Sequence, residues 1–352
     1  MSEDYLTVDP WKIVEERFDP ERVPCSESLF SLGNGEWGGR ANFEERYSGP
    51  SLQGNYIGGV YYPDRTRVGW WKNGYPEYFA KVLNAAFWIG VEVEVNGEPL
   101  DLASVCVESF RRELDMREGV LRRRMTVRMR NGVRVCAAID RFLPLEHREA
   151  GVVRYAVTLP DCDAEVRFTP FIDADVRNAD ANYDEKFWTH AATEPDAVCM
   201  RTLRSGFGAA WAQVCRLDGA RFETVTCGER VAQTAAVRVA RGGTAVLRKY
   251  AGICSTLNHP EAELVGAARR AASEAAAIGF EALAAEQSAA WARRWHGCDV
   301  VIEGDAKAQQ GIRFCIFMLL QTYAGTDTRL NIGPKGFTGE KYGGVTYWDT
   351  EA

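Results

Sequence analysis

Over roughly the first two thirds of the chain, hydrophobic and polar positions alternate with a period of two. In "VEVEVNGEPL", Val91, Val93 and Val95 alternate with acids, as in a strand with one buried face. Asn96-Gly97 then stands where a tight hairpin turn needs positive φ. "MTVRMRNGVRVCAAIDRF" repeats the device: Met125, Val127 and Met129 run into Asn131-Gly132, and Val133, Val135 and Ile139 run out. "GVVRYAVTL", "AEVRFTPFI" and "AAVRVARGGTAVLRKYAGI" continue the alternation. So many strands between about Ser28 and Thr256, with no helical pattern between them, predict a large antiparallel sandwich rather than a parallel βαβ sheet.

The period changes at "STLNHPEAEL". Pro260 suits a first helical turn, and Glu261 and Glu263 suit the positive end of a helix dipole. An Ala-rich helix is predicted to about Ile278, where Gly279 interrupts it. A second, "FEALAAEQSAAWARRW", places Phe280, Leu283, Gln287, Trp291 and Arg294/Trp295 near one stripe. Asp305 is a good N-cap for a third, with Ile312, Ile316, Leu319 and Tyr323 at helical spacing and a stop near Gly325. The fold class is therefore mainly β with α. Residues 1–257 form the sandwich, 258–325 a helical linker, and 326–352 a Gly- and Thr-rich stretch too short for a domain.

Composition narrows the partners. The 352 residues carry a net charge of −7 with a pI near 5.4, which argues against nucleic acid, whose phosphates reward clustered Lys and Arg. The run "RRELDMREGVLRRR" (Arg111 to Arg124) is interrupted by acids and is expected to be a solvated strand face. No signal-peptide pattern opens the chain, and "IRFCIFMLL" is too short to span a bilayer. The ten cysteines are scattered singly, without CxxC, and several sit in apolar strand patterns. Buried reduced thiols and a cytoplasmic location follow as expectations.

Candidate chemistry is sparse. "GNGEWG" formally matches GxGxxG at Gly33, Gly35 and Gly38, but no amphipathic helix follows, so glycines of a tight β-turn are expected instead of a dinucleotide site. His147, His190, His259 and His296 show no metal-ligand spacing, and no GxSxG elbow occurs. "YYPDRTRVGWWKNGYPEYF" crowds Tyr61, Tyr62, Trp70, Trp71, Tyr75, Tyr78 and Phe79 among polar residues. That mixture suits the C–H faces and hydroxyls of a sugar, and equally suits a loop packed on the sandwich. Trp348-Asp349 has the same character: a ring to stack on a pyranose and a carboxylate to accept its hydroxyls.

The pieces "ESLFSLGNGEWGGRANFEE", "YIGGVYYPDRTRVGWWKNGYPEYFAKVLNA", "NADANYDEKFW" and "GPKGFTGEKYGGVTYWDTEA" together resemble the N-terminal portion of the glycoside hydrolase family 65 disaccharide phosphorylases. Two departures bear on substrate preference. Glu36, Gly39 and Ala41 stand where many members read something like GNGYLGVRGN, and Val345 stands where many carry His.

The resemblance implies an N-terminal super-β-sandwich, a helical linker and an (α/α)6 barrel that begins near residue 326. It implies inverting phosphorolysis of maltose or a related α-glucosyl disaccharide, with phosphate attacking the anomeric carbon while a barrel Glu protonates the glycosidic oxygen. Phosphate is then a co-substrate, no cofactor or metal is needed, and the full-length assembly is a homodimer without nucleic-acid or membrane partners. Trp348 and Asp349 carry over as contacts to the glucosyl unit, with Glu340 and Glu351 as further pocket or orienting residues. The family's acid motif, of the type GPDEY, is not in the sequence, and "GPKGF" offers no carboxylate in its place. The general acid is thus expected beyond Ala352, in a longer parent protein, with the chain inactive by itself. The alternatives are a non-catalytic carbohydrate-binding or structural module, or a hydrolase of the same family such as an acid trehalase.

Overall fold

The computed structural model describes residues 5–67, 76–330 and 332–341. A ten-stranded antiparallel sheet dominates. Its order is Thr7–Asp9, Lys12–Glu15, Cys106–Asp115, Val120–Arg128, Arg134–Phe142, Ala150–Thr158, Thr244–Ser255, Gly208–Leu217, Ala197–Thr202 and Trp188–Glu194. A second, five-stranded sheet runs Glu223–Thr224, Arg230–Val239, Ala164–Asp173, Val91–Val95 and Glu98–Pro99. The alternation explains why they stack. Val93, Val95, Val166 and Phe168 of the smaller sheet share one buried core with Val127, Tyr155, Val157 and Leu247 of the larger, while Glu92 and Glu94 face outward. The fold is mainly β with helices, and the antiparallel sandwich is present.

The hairpin signals resolve differently. Asn96 (φ 51°) and Gly97 (φ 77°) are both left-handed, as a two-residue turn of that hand requires. At the second site only Gly132 (φ 85°) is, so residues 130–132 form a wider loop. There Asn131 acts by side chain: Oδ1 accepts from Val133 N at 3.0 Å and Nδ2 donates to Val95 O at 3.1 Å.

Helix α1, Val23–Leu29, was not foreseen; with seven residues, a Pro in its first turn and no stripe, it leaves little periodic signal. Helices α2 (Leu264–Ile278) and α3 (Phe280–His296) cover the outer face of the large sheet. A 3-10 turn at Glu261–Glu263 precedes α2, and Gly279 (φ 87°) breaks the two apart. α2 buries mainly alanines because it lies very close: a Cβ added at Gly252 would sit 1.8 Å from Ala268 O. α3 buries Phe280, Leu283, Gln287, Ala290, Trp291 and Trp295, so the expected stripe is present except for Arg294.

Helix α4, Ala306–Thr322, is capped as expected, with Asp305 Oδ1 accepting from Ala308 N at 2.9 Å. Its buried face is not the expected one. Leu319 is 54% exposed and Ile312 and Ile316 are half-buried, whereas Gln309, Gln310, Arg313, Phe317, Gln321 and Thr322 are buried. The cause is what the helix covers: backbone carbonyls that need donors. Gln310 Nε2 donates to Thr7 O (3.0 Å) and Lys12 O (2.7 Å), Gln309 Nε2 to Val300 O (2.8 Å), and Arg313 to Pro10 O (3.3 Å) and both oxygens of Asp299 (2.8 Å). Phe317 supplies the fully buried apolar anchor, stacking on Trp291 at 4.7 Å, with Phe314, Ile316, Met318 and Leu320 packed partly buried against the core.

Two other expectations fail. The Arg111–Arg124 run is not wholly solvated. Arg111, Arg122 and Arg124 lie toward solvent, but Arg112 and Arg123, paired across Cys106–Asp115 and Val120–Arg128, point inward and are buried. They are tolerated because carboxylates wait for them: Glu15 for Arg112, and Glu44 and Glu45 for Arg123. Nor are the cysteines uniformly buried. All ten are free thiols, but Cys25, Cys106, Cys227 and Cys315 are exposed and only Cys199 and Cys254 are buried. A polar-facing strand position or a helix's outer side accepts a thiol as readily as the core does.

Candidate functional site

The GNGEWG stretch is a hairpin, Leu32–Gly33 against Trp37–Gly39, as the turn expectation required. Asn34 Oδ1 closes it by accepting from Glu36 N (3.1 Å) and Trp37 N (2.9 Å), and Gly35 (φ 91°) donates to Gln321 O at the end of α4. The flanking glycines form a seat for an aromatic ring. Phe337, in the 3-10 turn Gly336–Thr338, lies so close that a Cβ would meet its ring at 2.3 Å from Gly33 and 2.0 Å from Gly38. Arg40 and Ser28 hold the same turn by donating to Thr338 O.

Two residues on, Glu340 is 4% exposed and its Oε2 accepts from Asp180 N at 3.0 Å. Asp180 Oδ2 is 2.6 Å from Lys81 Nζ on the strand Tyr78–Val82. Asparagines lock the surroundings. Asn178 Nδ2 donates to Val82 O and its Oδ1 accepts from Asn84 N (both 2.8 Å), while Asn84 Oδ1 accepts from Asn55 N at 3.0 Å. Asp64, on the paired strand Tyr61–Arg65, accepts from Asn182 N at 3.2 Å. Segments 55–65, 78–84, 178–182 and 337–340 are thereby brought to one place, although their outermost residues, Asn55 and Glu340, are 285 positions apart.

The electrostatics are those of a poorly solvated acid. Burial pushes Glu340 up to about 7, against the amide of Asp180, which lowers it; the Asp180 carboxylate raises it further and Lys81 opposes. Burial likewise raises Asp64. Among the described residues Glu340 Oε1 has no hydrogen-bond partner, and neither has the buried hydroxyl of Tyr56, whose titration the Glu340 charge helps to push up. The cluster holds polar groups of both signs.

Of the four proposed sugar-site residues, Glu340 is the one that lies among the described residues, and Tyr61 of the aromatic stretch packs nearby against Tyr56 and Phe337. Trp348, Asp349 and Glu351 lie outside the described residues, as do Trp70, Trp71 and Tyr75 of the aromatic stretch. Tyr62 is buried and stacks on Phe187 at 4.1 Å, a packing role. Lys81, Asp180, Asn84 and Asn178 were quoted within longer pieces but not recognised individually, since only the fold shows that they meet.

Glu340 gives a measurable pH signature. Its native carboxyl binds a proton more tightly than an unfolded chain's, so its contribution is present below about 4.5 and is lost as pH rises through about 7. Glu340→Gln, neutral throughout, is expected to gain on the wild type by on the order of 2 kcal/mol between pH 5 and 8. Urea midpoints at the two pH values measure it; parallel shifts in both proteins would refute it.

Comparison with known proteins agrees with this architecture. Residues 13–294 match the glycosyl hydrolase family 65 N-terminal domain, and residues 313–352 match the family's central catalytic domain. The chain is 41% identical to maltose phosphorylase of Bacillus subtilis over 98% of its own length and 46% of that protein's. It is 29% identical to alpha,alpha-trehalose phosphorylase of Thermoanaerobacter brockii over 97% and 46%. A solved structure from the human microbiome, described as a kojibiose phosphorylase, superposes with a TM-score of 0.86 at 26% identity, covering 99% of this chain and 46% of that one. The chain spans about half the length of the curated relatives it matches. Among its described residues no helix is long and apolar enough to cross a membrane. The chain belongs to glycosyl hydrolase family 65.

Proposed function

We propose that this chain is the N-terminal part of an inverting phosphorylase. The whole protein would convert maltose, or a related α-glucosyl disaccharide, and phosphate into β-glucose 1-phosphate and glucose. The 41% identity to a maltose phosphorylase along 98% of the chain carries this reading. Phosphate is already an anion near neutrality, so attack on the anomeric carbon needs one protein acid to protonate the leaving oxygen and no second carboxylate as base. That acid belongs to residues outside this sequence, where no GPDEY-type segment occurs. Trp348 and Asp349 contact the glucosyl unit. Glu340, tied to Asp180, is a positioning residue that fixes the start of their segment, with Glu351 in an orienting role.

The whole protein should release glucose from maltose only when phosphate is supplied, and should favour maltose over kojibiose, nigerose and trehalose. Glucose and glucose 1-phosphate, measured with and without phosphate, decide it. Phosphate-independent glucose release would replace this reading with a family 65 hydrolase. The 352-residue chain assayed by itself should show no turnover, as a scaffold that shapes the site would.

A further inference from the structure

Away from the Glu340 cluster, three side chains converge where the large sheet turns toward α2. Cys254 is the penultimate residue of the strand Thr244–Ser255 and is fully buried. Glu149 stands directly before the neighbouring strand Ala150–Thr158, and its carbonyl accepts from Ile253 N at 2.8 Å. His259 is folded back by a turn in which its amide donates to Ser255 O at 3.1 Å. One ligand-capable atom from each lies within 4.8 Å of the other two, and His259 Nε2 is 2.7 Å from Glu149 Oε1.

Beside them opens a cavity of about 310 Å³, lined by Glu36, His147, Glu149, Asn258 and Glu274 among others. Asn258 Nδ2 stands 3.5 Å from both Glu36 Oε2 and Glu149 Oε1, so a second carboxylate faces the same space.

We propose that Cys254, His259 and Glu149 form a zinc site beside this cavity, which Glu149 lines. The donor set selects the metal. One thiolate, one imidazole and one carboxylate suit Zn²⁺ at tetrahedral spacing, whereas Ca²⁺ and Mg²⁺ take oxygen ligands. Binding breaks the Cys254 S–H bond and forms Zn–S, the proton leaving to solvent. His259 binds through a neutral nitrogen, and water completes the shell. The bound ion would pin the last strand of the sheet to the start of the helical segment. This site is independent of the phosphorylase reading, since it touches none of the residues assigned to sugar.

The test uses the chain stripped with EDTA and then titrated with Zn²⁺ and, separately, Co²⁺. One zinc should bind with a dissociation constant of about 1 µM or tighter. Cobalt should show tetrahedral visible bands with a thiolate charge-transfer band in the near ultraviolet. Cys254→Ser should abolish that band and weaken zinc at least tenfold, while Cys106→Ser, at an exposed thiol, should change neither. Far-ultraviolet circular dichroism checks folding. If Cys254→Ser does not fold, His259→Ala, at a partly exposed side chain, must weaken zinc by a similar factor. Absence of the charge-transfer band in the wild type, the same band in folded Cys254→Ser, or unchanged zinc affinity in His259→Ala would each overturn the site.

Discussion

Arg123→Met is expected to destabilise the chain by about 3–5 kcal/mol. Its guanidinium is 4% exposed and spans two buried carboxylates, with Nη2 2.7 Å from Glu44 Oε2 and 2.5 Å from Glu45 Oε2 and Nη1 on Glu45 Oε1. Glu44 would keep Arg141, 2.8 Å away, but among the described residues Glu45 would keep only the Tyr155 hydroxyl at 3.2 Å. A carboxylate sealed from water with one neutral donor is far costlier than a repacked methionine is favourable. Arg111→Met, at the other end of the same run, should stay within about 0.5 kcal/mol, since that side chain is 43% exposed, its partner Glu16 is 56% exposed, and Glu113 would keep Lys12 at 3.0 Å. Urea unfolding of both variants measures the contrast; equal losses would refute the burial argument.

The second large effect comes from one substitution made twice. Gly252→Ala should cost about 3 kcal/mol, because the new methyl would meet Ala268 O at 1.8 Å and neither backbone can rotate away. Gly311→Ala, on the exposed side of α4 with nothing within 4 Å of the new atom, should instead stabilise by about 0.5–1 kcal/mol. Opposite signs for the same chemical change, measured by thermal unfolding, would locate the tight contact between α2 and the sheet. A neutral Gly252→Ala would mean that α2 lies farther off.

The sandwich was legible because period-two alternation follows from a sheet with one wet face, and it is strong at Val91, Val93 and Val95. The Asp305 cap was legible for a similar reason: capping is decided within four residues. What escaped depends on partners distant in sequence. Arg112 and Arg123 read as solvent-facing until Glu15, Glu44 and Glu45 are seen behind them. The polar face of α4 reads as its outer side until the carbonyls of residues 7–12 are seen beneath it. At the candidate site, Glu340 stood out beside a Trp-Asp pair, but its contact with Asp180 and Lys81 requires three segments to meet, which no local pattern encodes.

Phe337 resting on Gly33 and Gly38, and Gln310 bonded to Thr7 and Lys12, have a kinetic consequence. Positions about three hundred residues apart must find one another before either is protected. During synthesis the opening strands leave the ribosome long before the helix that covers them exists. Maturation of this region should therefore be slow, with its earlier-made hairpins waiting exposed for residues made about three hundred positions later.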